Sequence, residues 1–430
     1  MSRSMKDSGV AYLGEIGSDF DVKPINSLFA IKKDIIGHEP DLVLSITQNG
    51  IKPKDIESNE GQIAASYANY QIVNVGDFAM NHMDLITGGV DISKYEGVTS
   101  PDYRVFVLKE KEMIDKFFLY VFQSYYKTRT FFGFGQGVAN LGRWRLPASN
   151  FKNILIPITT AENQMKIVEV LDKKCSEIDT LIANQHKQIE KLKQYKQSLI
   201  TEVVTKGLNP DVEMKDSGIK AWGNISENAN LIQIRYVAKL NGRIGFRGYT
   251  QNDLVLEGEG AITLSPSNMK EMKMVYDKCA YLSWEKYEES PEIKIYNGDV
   301  LFVKTGSTYG KCSYVDNLPM EATINPQILV FKEIKINAKY FMYCLQTNAV
   351  KDLVECAVVG GTIPTIAQDK IGRFIIPFYS EKESEEIVSF LDENCNKIDS
   401  LIAIKQQKME KLNQYKKSII YEYVTGKKEA

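Results

Sequence analysis

The sequence predicts two α/β (mixed α+β) domains joined by two long antiparallel coiled-coil helices, in a tandemly duplicated chain with pseudo-two-fold symmetry. Residues 156–205 and 376–425 align without a gap at an offset of 220, and roughly half of the aligned positions are identical. The pentapeptide "MKDSG" occurs at Met5–Gly9 and again at Met214–Gly218. Strand-like and helix-like runs alternate in the segments before each repeat. We therefore expect domains at 1–157 and 208–377, each followed by a helical arm, at 158–207 and 378–430.

Composition describes an ordinary globular protein. The chain has 430 residues, 43% hydrophobic and 25% charged, with a formal net charge of −2. Such a chain has no global attraction for nucleic acid or anionic lipid, so DNA binding would require local clusters of cations. The first residues lack a signal-peptide core and no apolar run approaches membrane-spanning length, which predicts a cytoplasmic protein without a membrane partner. Six cysteines without a Cys-x-x-Cys pair, and only three histidines, indicate neither disulfides nor a metal site.

The first domain opens with "MKDSG", where Asp7 ahead of Gly9 predicts a turn, as Asp216 ahead of Gly218 does in the second. Strand-like runs such as "YRVFVL" and "DVLFVK" then alternate with helix-like pieces such as "MIDKFFLYVFQSYY". A few landmarks recur, including "NVGDF" against "YNGDV", but the two domains otherwise align poorly. The arms stayed alike while the heads diverged, which indicates one scaffold carrying two different recognition surfaces.

Each arm is predicted to be one long helix. Pro157 and Pro377 close the preceding segments, Thr159 and Ser380 offer capping boxes, and neither arm contains an internal Pro or Gly. Steps of four and three continue over ~9 turns, which favours a coiled coil over a short amphipathic bundle helix. The apolar seam positions are Leu171, Ile178, Ile182, Ile189 and Leu192 in the first arm, and Leu391, Ile398, Ile402, Met409 and Leu412 in the second. Chain order makes the two helices antiparallel if they pack together.

Longer motifs bring a family resemblance. They are the "MKDSG" openings, "GDFAMNHMDLITGGVDISKYEGVTSPDYRVF" (76–106), "GDVLFVKTGSTYGKC" (298–312), and the paired arm motifs "LDxxCxxID(T/S)LIA" and "EKLxQYKxSxI". With these motifs the chain resembles the specificity subunit of Type I restriction-modification systems. The resemblance covers essentially the whole chain, in the order head, arm, head, arm.

The resemblance implies a non-catalytic subunit that reads double-stranded DNA. In this family each head recognises one half of a split, asymmetric site, and the helices set the gap. The arms dock two methyltransferase (M) subunits, and restriction/translocase (R) subunits complete the assembly. Cofactors are expected on those partners, S-adenosylmethionine, ATP and Mg, and none in this chain. Independently of the resemblance, two like arms predict two copies of one partner, and two unlike heads predict two unlike half-sites.

Polar and basic side chains in glycine-framed loops are the candidates for reading base edges. In the first head they are Asn81, His82, Arg104, Gln136, Arg143 and Arg145. In the second they are Arg243, Arg247, Asn268, Lys304, Ser307, Thr308 and Tyr309. Each could instead serve an ordinary solvated loop. His82 has no second histidine nearby, which disfavours a metal site, and "KTGSTYGK" lacks the ending of a Walker loop.

Two alternatives remain open at this stage. A methyltransferase acting by itself would need an Asn/Asp-Pro-Pro-aromatic tetrapeptide, and the nearest string, Asn325-Pro326-Gln327-Ile328, lacks the second proline and the aromatic. The other alternative is a coiled-coil scaffold or adaptor whose two heads bind proteins or other ligands. The near-neutral charge favours the scaffold, because a DNA binder acting alone is usually more basic.

Overall fold

The computed structural model describes residues 3–56, 64–137, 144–243, 245–360 and 363–430. Its contacts divide the chain into two units. Unit 1 comprises Met1–Gln185 and Gln406–Ala430, and unit 2 comprises His186–Lys405. Each unit therefore combines one head with a part of both arms. None of the helices in the described ranges is long and apolar enough to cross a membrane.

The head of unit 1 is mostly short strands with one substantial helix. Its strands are β1 (Met5–Asp7), β2 (Glu15–Gly17), β3 (Asp21–Pro24), β4 (Phe29–Lys32), β5 (Leu44–Thr47), β6 (Gly50–Pro53), β7 (Gln71–Val73), β8 (Phe78–Met80), β9 (Val90–Ile92), β10 (Gly97–Thr99), β11 (Arg104–Leu108) and β12 (Leu155–Ile158). Its helices are α1 (Ile25–Leu28), α2 (Asp115–Lys127), α3 (Thr130–Gly133) and α4 (Ala148–Asn153), and the first arm is α5 (Ala161–Lys206).

The head of unit 2 has the same arrangement, with five strands between β16 and β22 where the head of unit 1 has three between β4 and β8. Its strands are β13 (Met214–Asp216), β14 (Asn224–Ser226), β15 (Asn230–Gln233), β16 (Lys239–Gly242), β17 (Leu254–Val255), β18 (Gly260–Leu264), β19 (Met269–Lys270), β20 (Lys273–Met274), β21 (Ala280–Ser283), β22 (Val300–Val303), β23 (Cys312–Tyr314), β24 (Ala322–Ile324), β25 (Ile328–Lys332) and β26 (Ile375–Phe378). Its helices are α6 (Ile234–Val237), α7 (Trp284–Glu288), α8 (Ala338–Gln346), α9 (Asn348–Ala357) and α10 (Gln368–Gly372), and the second arm is α11 (Glu381–Val424).

The central sheets of the two heads share one topology. The strand order is β4-β11-β8-β9 in unit 1 and β16-β25-β22-β23 in unit 2, with every pair antiparallel. The strand before each arm also pairs equivalently, β12 with β3 and β26 with β15. The duplication therefore extends to the heads, where little sequence identity remains.

The "MKDSG" copies form equivalent turns. The Asp7 carboxylate accepts the Gly9 N–H at 3.0 Å, and the Asp216 carboxylate accepts the Gly218 N–H at 3.0 Å. Gly9 and Gly218 have φ of 68° and 66°, a region that favours glycine. The predicted turns are confirmed.

The arms are antiparallel helices whose ends complete each head's core. In unit 1, Leu171 near the start of α5 shares the head's hydrophobic cluster with Val424 at the end of α11. In unit 2, Val204 near the end of α5 shares the cluster with Leu391 near the start of α11. Of the predicted seam, Leu171, Ile178, Ile189, Leu391, Ile398 and Ile402 are buried, and Ile182, Leu192, Met409 and Leu412 are half-buried. The two predicted helical arms are confirmed.

Polar seam positions carry equivalent ion pairs. In unit 1 the Lys416 ammonium lies 2.6 Å from the Asp179 carboxylate, and in unit 2 the Lys196 ammonium lies 2.6 Å from the Asp399 carboxylate. Each partner stands 220 positions from its counterpart in the other repeat. Because a polar group at a seam is satisfied in only one register, these pairs fix the axial alignment of the helices.

One predicted cap is wrong. The hydroxyl of Thr160, not of Thr159, accepts an N–H at the start of α5, from Asn163. The Thr159 hydroxyl instead donates to the backbone of Asp19. Ser380 caps α11 as predicted, accepting the Glu383 N–H at 3.3 Å.

Each head is also tied to an arm by a repeated contact. The Tyr120 hydroxyl and the Lys116 ammonium both donate to the Asp172 carboxylate at 2.6 Å. In unit 2, Tyr343 and Lys339 donate to Asp392 in the same way, at 2.7 and 2.8 Å.

Candidate nucleic-acid interface

The candidate residues gather around one hairpin in each head. The hairpin β8–β9 starts at Phe78 and β22–β23 starts at Val300, and β9 and β23 start at Val90 and Cys312, so both strands keep an offset of 222. We call the connections between these strands the hairpin loops, 81–89 in unit 1 and 304–311 in unit 2. His82 and Lys304 therefore occupy equivalent positions.

A buried carboxylate stabilises the turn that precedes each hairpin. The Asp77 carboxylate accepts the Asn74 N–H at 2.8 Å and the Lys32 ammonium at 2.7 Å. Asp299 accepts the Tyr296 N–H at 2.9 Å and the Lys332 ammonium at 2.9 Å. The same turn is thus kept in both heads, although the lysine comes from β4 in one and from β25 in the other.

A second loop lies beside each hairpin loop. These bridge loops are closed by backbone pairing of Gln136 with Arg145 in unit 1 and of Val359 with Thr365 in unit 2. The Leu146 N–H donates to the His82 carbonyl at 2.9 Å. The Ile366 N–H donates to the Lys304 carbonyl at the same distance. Each head therefore presents two adjacent loops at one end of its sheet.

In unit 1, Gln136 and Arg145 are exposed, as a groove-reading role requires. The Asn81 side-chain oxygen accepts the N–H groups of Met83 and Asp84, so it shapes the start of the hairpin loop. Arg143 lies outside the described residues. The prediction that these side chains contact DNA stays a prediction.

Arg104 is built into the fold. Its guanidinium is buried, donates to the Leu146 carbonyl at 2.8 Å and stacks 4.6 Å from the centre of the Phe151 ring. A group held in this way would have to leave its packing to reach a base. We therefore expect Arg104 to position the bridge loop through Leu146.

His82 is half-buried between cations. Burial, and then the positive charges of Arg104 and Arg145, lower the pKa of His82 to about 4. The imidazole is therefore neutral at pH 7, and its Nδ1 forms no hydrogen bond with the described residues. A neutral ring can accept or donate a hydrogen bond without adding charge to the loop.

Unit 1 is expected to lose stability as the pH falls from about 6.5 to 4. The unfolded chain binds a proton at His82 near pH 6.5, whereas the folded chain resists it until about pH 4. Stability is greatest above pH 6.5, where the ring is neutral in both states, and about 3 kcal/mol is lost as the pH falls to about 4. A His82→Gln variant lacks this titration, so its melting temperature should fall less than that of the wild type between pH 7 and 4.5. Parallel melting curves would contradict the prediction.

In unit 2, the hairpin loop presents a desolvated lysine and exposed hydroxyls. Burial lowers the pKa of Lys304, whose ammonium forms no hydrogen bond with the described residues. Ser307 and Thr308 are exposed and Tyr309 is half-buried. Gly306 has φ of 102°, which lets the backbone turn back toward Pro364 of the bridge loop. The loop offers donors suited to a phosphate or a base edge.

Two of the three other candidates of unit 2 are buried and hydrogen-bonded within the head. Arg243 is buried and donates to the Ile324 carbonyl at 3.1 Å and to Thr323 at 3.1 Å. Asn268 is buried and bonds the backbone of its own turn. Arg247 is half-buried, 3.4 Å from the Glu292 carboxylate. We expect Arg243 and Asn268 to shape the surface rather than to read it.

Sequence reasoning named no residue of the unit 2 bridge loop. Val359 and Ile363 there are exposed, on the loop equivalent to the one that carries Gln136 and Arg145. The signal available in the sequence was the glycine pair Gly360-Gly361, which marks a glycine-framed loop before Thr365. Across the described ranges, no group of three or more His, Cys, Asp or Glu side chains is placed to hold a metal ion.

Known proteins are similar to this chain in sequence and in fold. The sequence profile of the Type I restriction modification DNA specificity domain matches residues 46–193 and 235–414, more than half of the chain. The Type I restriction enzyme MjaVIII specificity subunit of Methanocaldococcus jannaschii is 23% identical over 407 residues, covering 92% of this chain and 88% of that protein. A solved structure titled as the structural basis of complex assembly and conformational transition of the type I R-M system has a TM-score of 0.70 at 12% identity, covering 96% of this chain and 99% of that chain. The chain therefore belongs to the family of Type I restriction-modification DNA specificity subunits.

Proposed function

We propose that each head reads one half of a bipartite, asymmetric DNA site, while the arms set the gap and dock two methyltransferase subunits. The observation that carries this proposal is the pair of equivalent loop sites with unlike residues. A hairpin loop and a bridge loop meet in both heads, but His82 in one corresponds to Lys304 in the other. Two equivalent pairs of loops that carry different hydrogen-bonding side chains recognise different base sequences.

The arms support docking of two copies of one partner. Leu181 and Tyr415 are exposed in unit 1, two residues after Asp179 and one residue before Lys416 of the ion pair. In unit 2, Leu401 and Tyr195 are exposed at the equivalent positions, two residues after Asp399 and one residue before Lys196. The same apolar residue types recur at the same level of the paired helices. Repeated exposed Leu and Tyr side chains suit an interface used twice.

The chemistry is assigned to the partners. The methyltransferase subunits would hold S-adenosylmethionine, and the restriction/translocase subunits would use ATP and Mg, while this chain contributes recognition alone. The relatives are specificity subunits, and the sequence lacks the tetrapeptide of an adenine methyltransferase. The whole assembly would work in the cytoplasm, where chromosomal and invading DNA are both accessible.

Exchanging residues 1–157 for the head of another specificity subunit is expected to change one half of the methylated motif and leave the other half intact. Each head has its own sheet and loops, so each half-site should be read independently. Methylome sequencing of a strain carrying the exchanged chain, against the wild type and a deletion strain, measures the result.

The control is the purified chain mixed with DNA and S-adenosylmethionine but no partner. Methyl transfer in that mixture would overturn the non-catalytic assignment. A change in both half-sequences after the exchange would overturn independent reading. A duplex-binding assay with and without the methyltransferase separates DNA recognition from a scaffold whose heads bind other ligands.

A further inference from the structure

Unit 1 contains a cationic groove beside its hairpin loop. The groove has a volume of about 650 Å³ and is bordered by Ile86–Val90 of the hairpin loop and β9, the tip of β5–β6, the end of α2, and α11. Its cations are Lys127 at the end of α2, Arg129 just after that helix, and Lys416 and Lys417 on α11. Its carboxylates are Asp91, which accepts the Ile51 N–H, and Asp179, which pairs with Lys416.

The other three cations of the groove suit a negatively charged ligand. Lys127, Arg129 and Lys417 are exposed, and none forms an ion pair with the described residues. The Lys127 side chain is exposed overall, but its ammonium group is partly desolvated at the groove, and this desolvation, followed by repulsion from Lys416, lowers its pKa. Arg129 has φ of 61°, an uncommon and costly backbone conformation for arginine.

The equivalent region of unit 2 has different charges. Lys417 corresponds to Gln197 at the offset of 220, and Lys351 donates to that glutamine at 2.5 Å. The groove beside the second hairpin loop holds two glutamates, Glu271 and Glu355, against two lysines, Lys311 and Lys351. An identical partner docking twice would meet an excess of cations in one unit and balanced charges in the other. The phosphate backbone is the same at both half-sites, so the first head alone would make this additional contact.

We infer that this groove binds the phosphate backbone of DNA flanking the half-site read by the first head. The inference rests on the proposed function. The hairpin loop forms one wall of the groove, so a duplex held at the loop would continue along Lys127, Arg129 and Lys417. Such contacts position the duplex without reading sequence, and they release counterions.

The test is the salt dependence of DNA binding by the complex reconstituted with its methyltransferase. Fluorescence anisotropy would follow a duplex carrying the methylated motif from about 50 to 400 mM NaCl. The variant Lys127→Gln, Arg129→Gln, Lys417→Gln should reduce the slope of log K against log salt by about 2 to 3 and weaken binding about tenfold or more at physiological salt. Affinity for a duplex with one altered half-site should fall by the same factor.

The matched control is Lys187→Gln, Lys408→Gln, Lys411→Gln, which removes three exposed arm lysines away from the groove. Its slope should equal that of the wild type. An unchanged slope in the groove variant would overturn the inference, and so would loss of methyltransferase binding, which would assign the groove to a protein partner. Absence of sequence preference in the wild-type complex would instead count against the proposed function. Equal melting temperatures would show that the variants fold alike.

Discussion

Replacing Leu181 and Tyr415 with aspartate is expected to release one of two methyltransferase copies and leave the other bound. Leu181 is 44% exposed and Tyr415 is 50% exposed, an apolar surface that folding of this chain leaves uncovered. Burying two carboxylates at the centre of an interface should cost at least about 3 kcal/mol, or about a hundredfold in affinity. The second copy should be unaffected, because its proposed contacts are Leu401 and Tyr195 in unit 2.

Native mass spectrometry of the reconstituted complex would count the copies. The reciprocal variant, Leu401→Asp with Tyr195→Asp, should also lose one copy, and the quadruple variant should lose both. The control is Leu256→Asp with Tyr236→Asp, an exposed pair on the second head that should retain both copies. Two copies bound to the quadruple variant would place the docking surface elsewhere.

The arms could be predicted from the sequence because a helical seam constrains residue type at every turn. Leu171 and Cys175 belong to the hydrophobic core cluster of unit 1, and their counterparts 220 residues later, Leu391 and Cys395, belong to that of unit 2. The repeated contact of a lysine and a tyrosine with Asp172 and Asp392 was also accessible, since "KFFLY" and "KYFMY" precede the two arms at similar distances. It was missed because the head helices align only after a shift of register.

The equivalence of the hairpin loops could not be seen in the same way. An exposed loop has few packing partners to preserve its side chains, so only Gly76-Asp77 and Gly298-Asp299 mark the match. Those glycines have φ of 91° and 98°, a backbone requirement that outlasts the divergence of the loops.

Residue type alone does not distinguish an arginine that reaches into a groove from one that packs within a head. Arg104 and Arg243 are both buried, and each donates to a backbone carbonyl. The cations of the unit 1 groove were not predicted because they come from α2 and α11, which are almost 300 residues apart in the chain.

Inserting one heptad into both arms is expected to abolish methylation, and inserting three heptads is expected to restore it with a longer gap. One heptad adds about 10 Å of helix, or about three base pairs, which turns the second half-site by about 100° around the duplex. Three heptads add about nine base pairs, which is close to one helical turn. The half-sequences should stay unchanged, because the reading loops lie in the heads.

The insertions belong after Gln185 and after Lys405, equivalent positions that also divide the two units. There they leave the Asp179–Lys416 pair within unit 1 and the Lys196–Asp399 pair within unit 2. A heptad in one arm alone would shift one helix against the other, so that loss of activity would report broken pairing and not distance. When both arms carry insertions of equal length, arm length is the only variable, and methylome sequencing measures its effect on the methylated motif. An altered half-sequence, or an unchanged gap with three heptads, would show that the arms do not set the spacing.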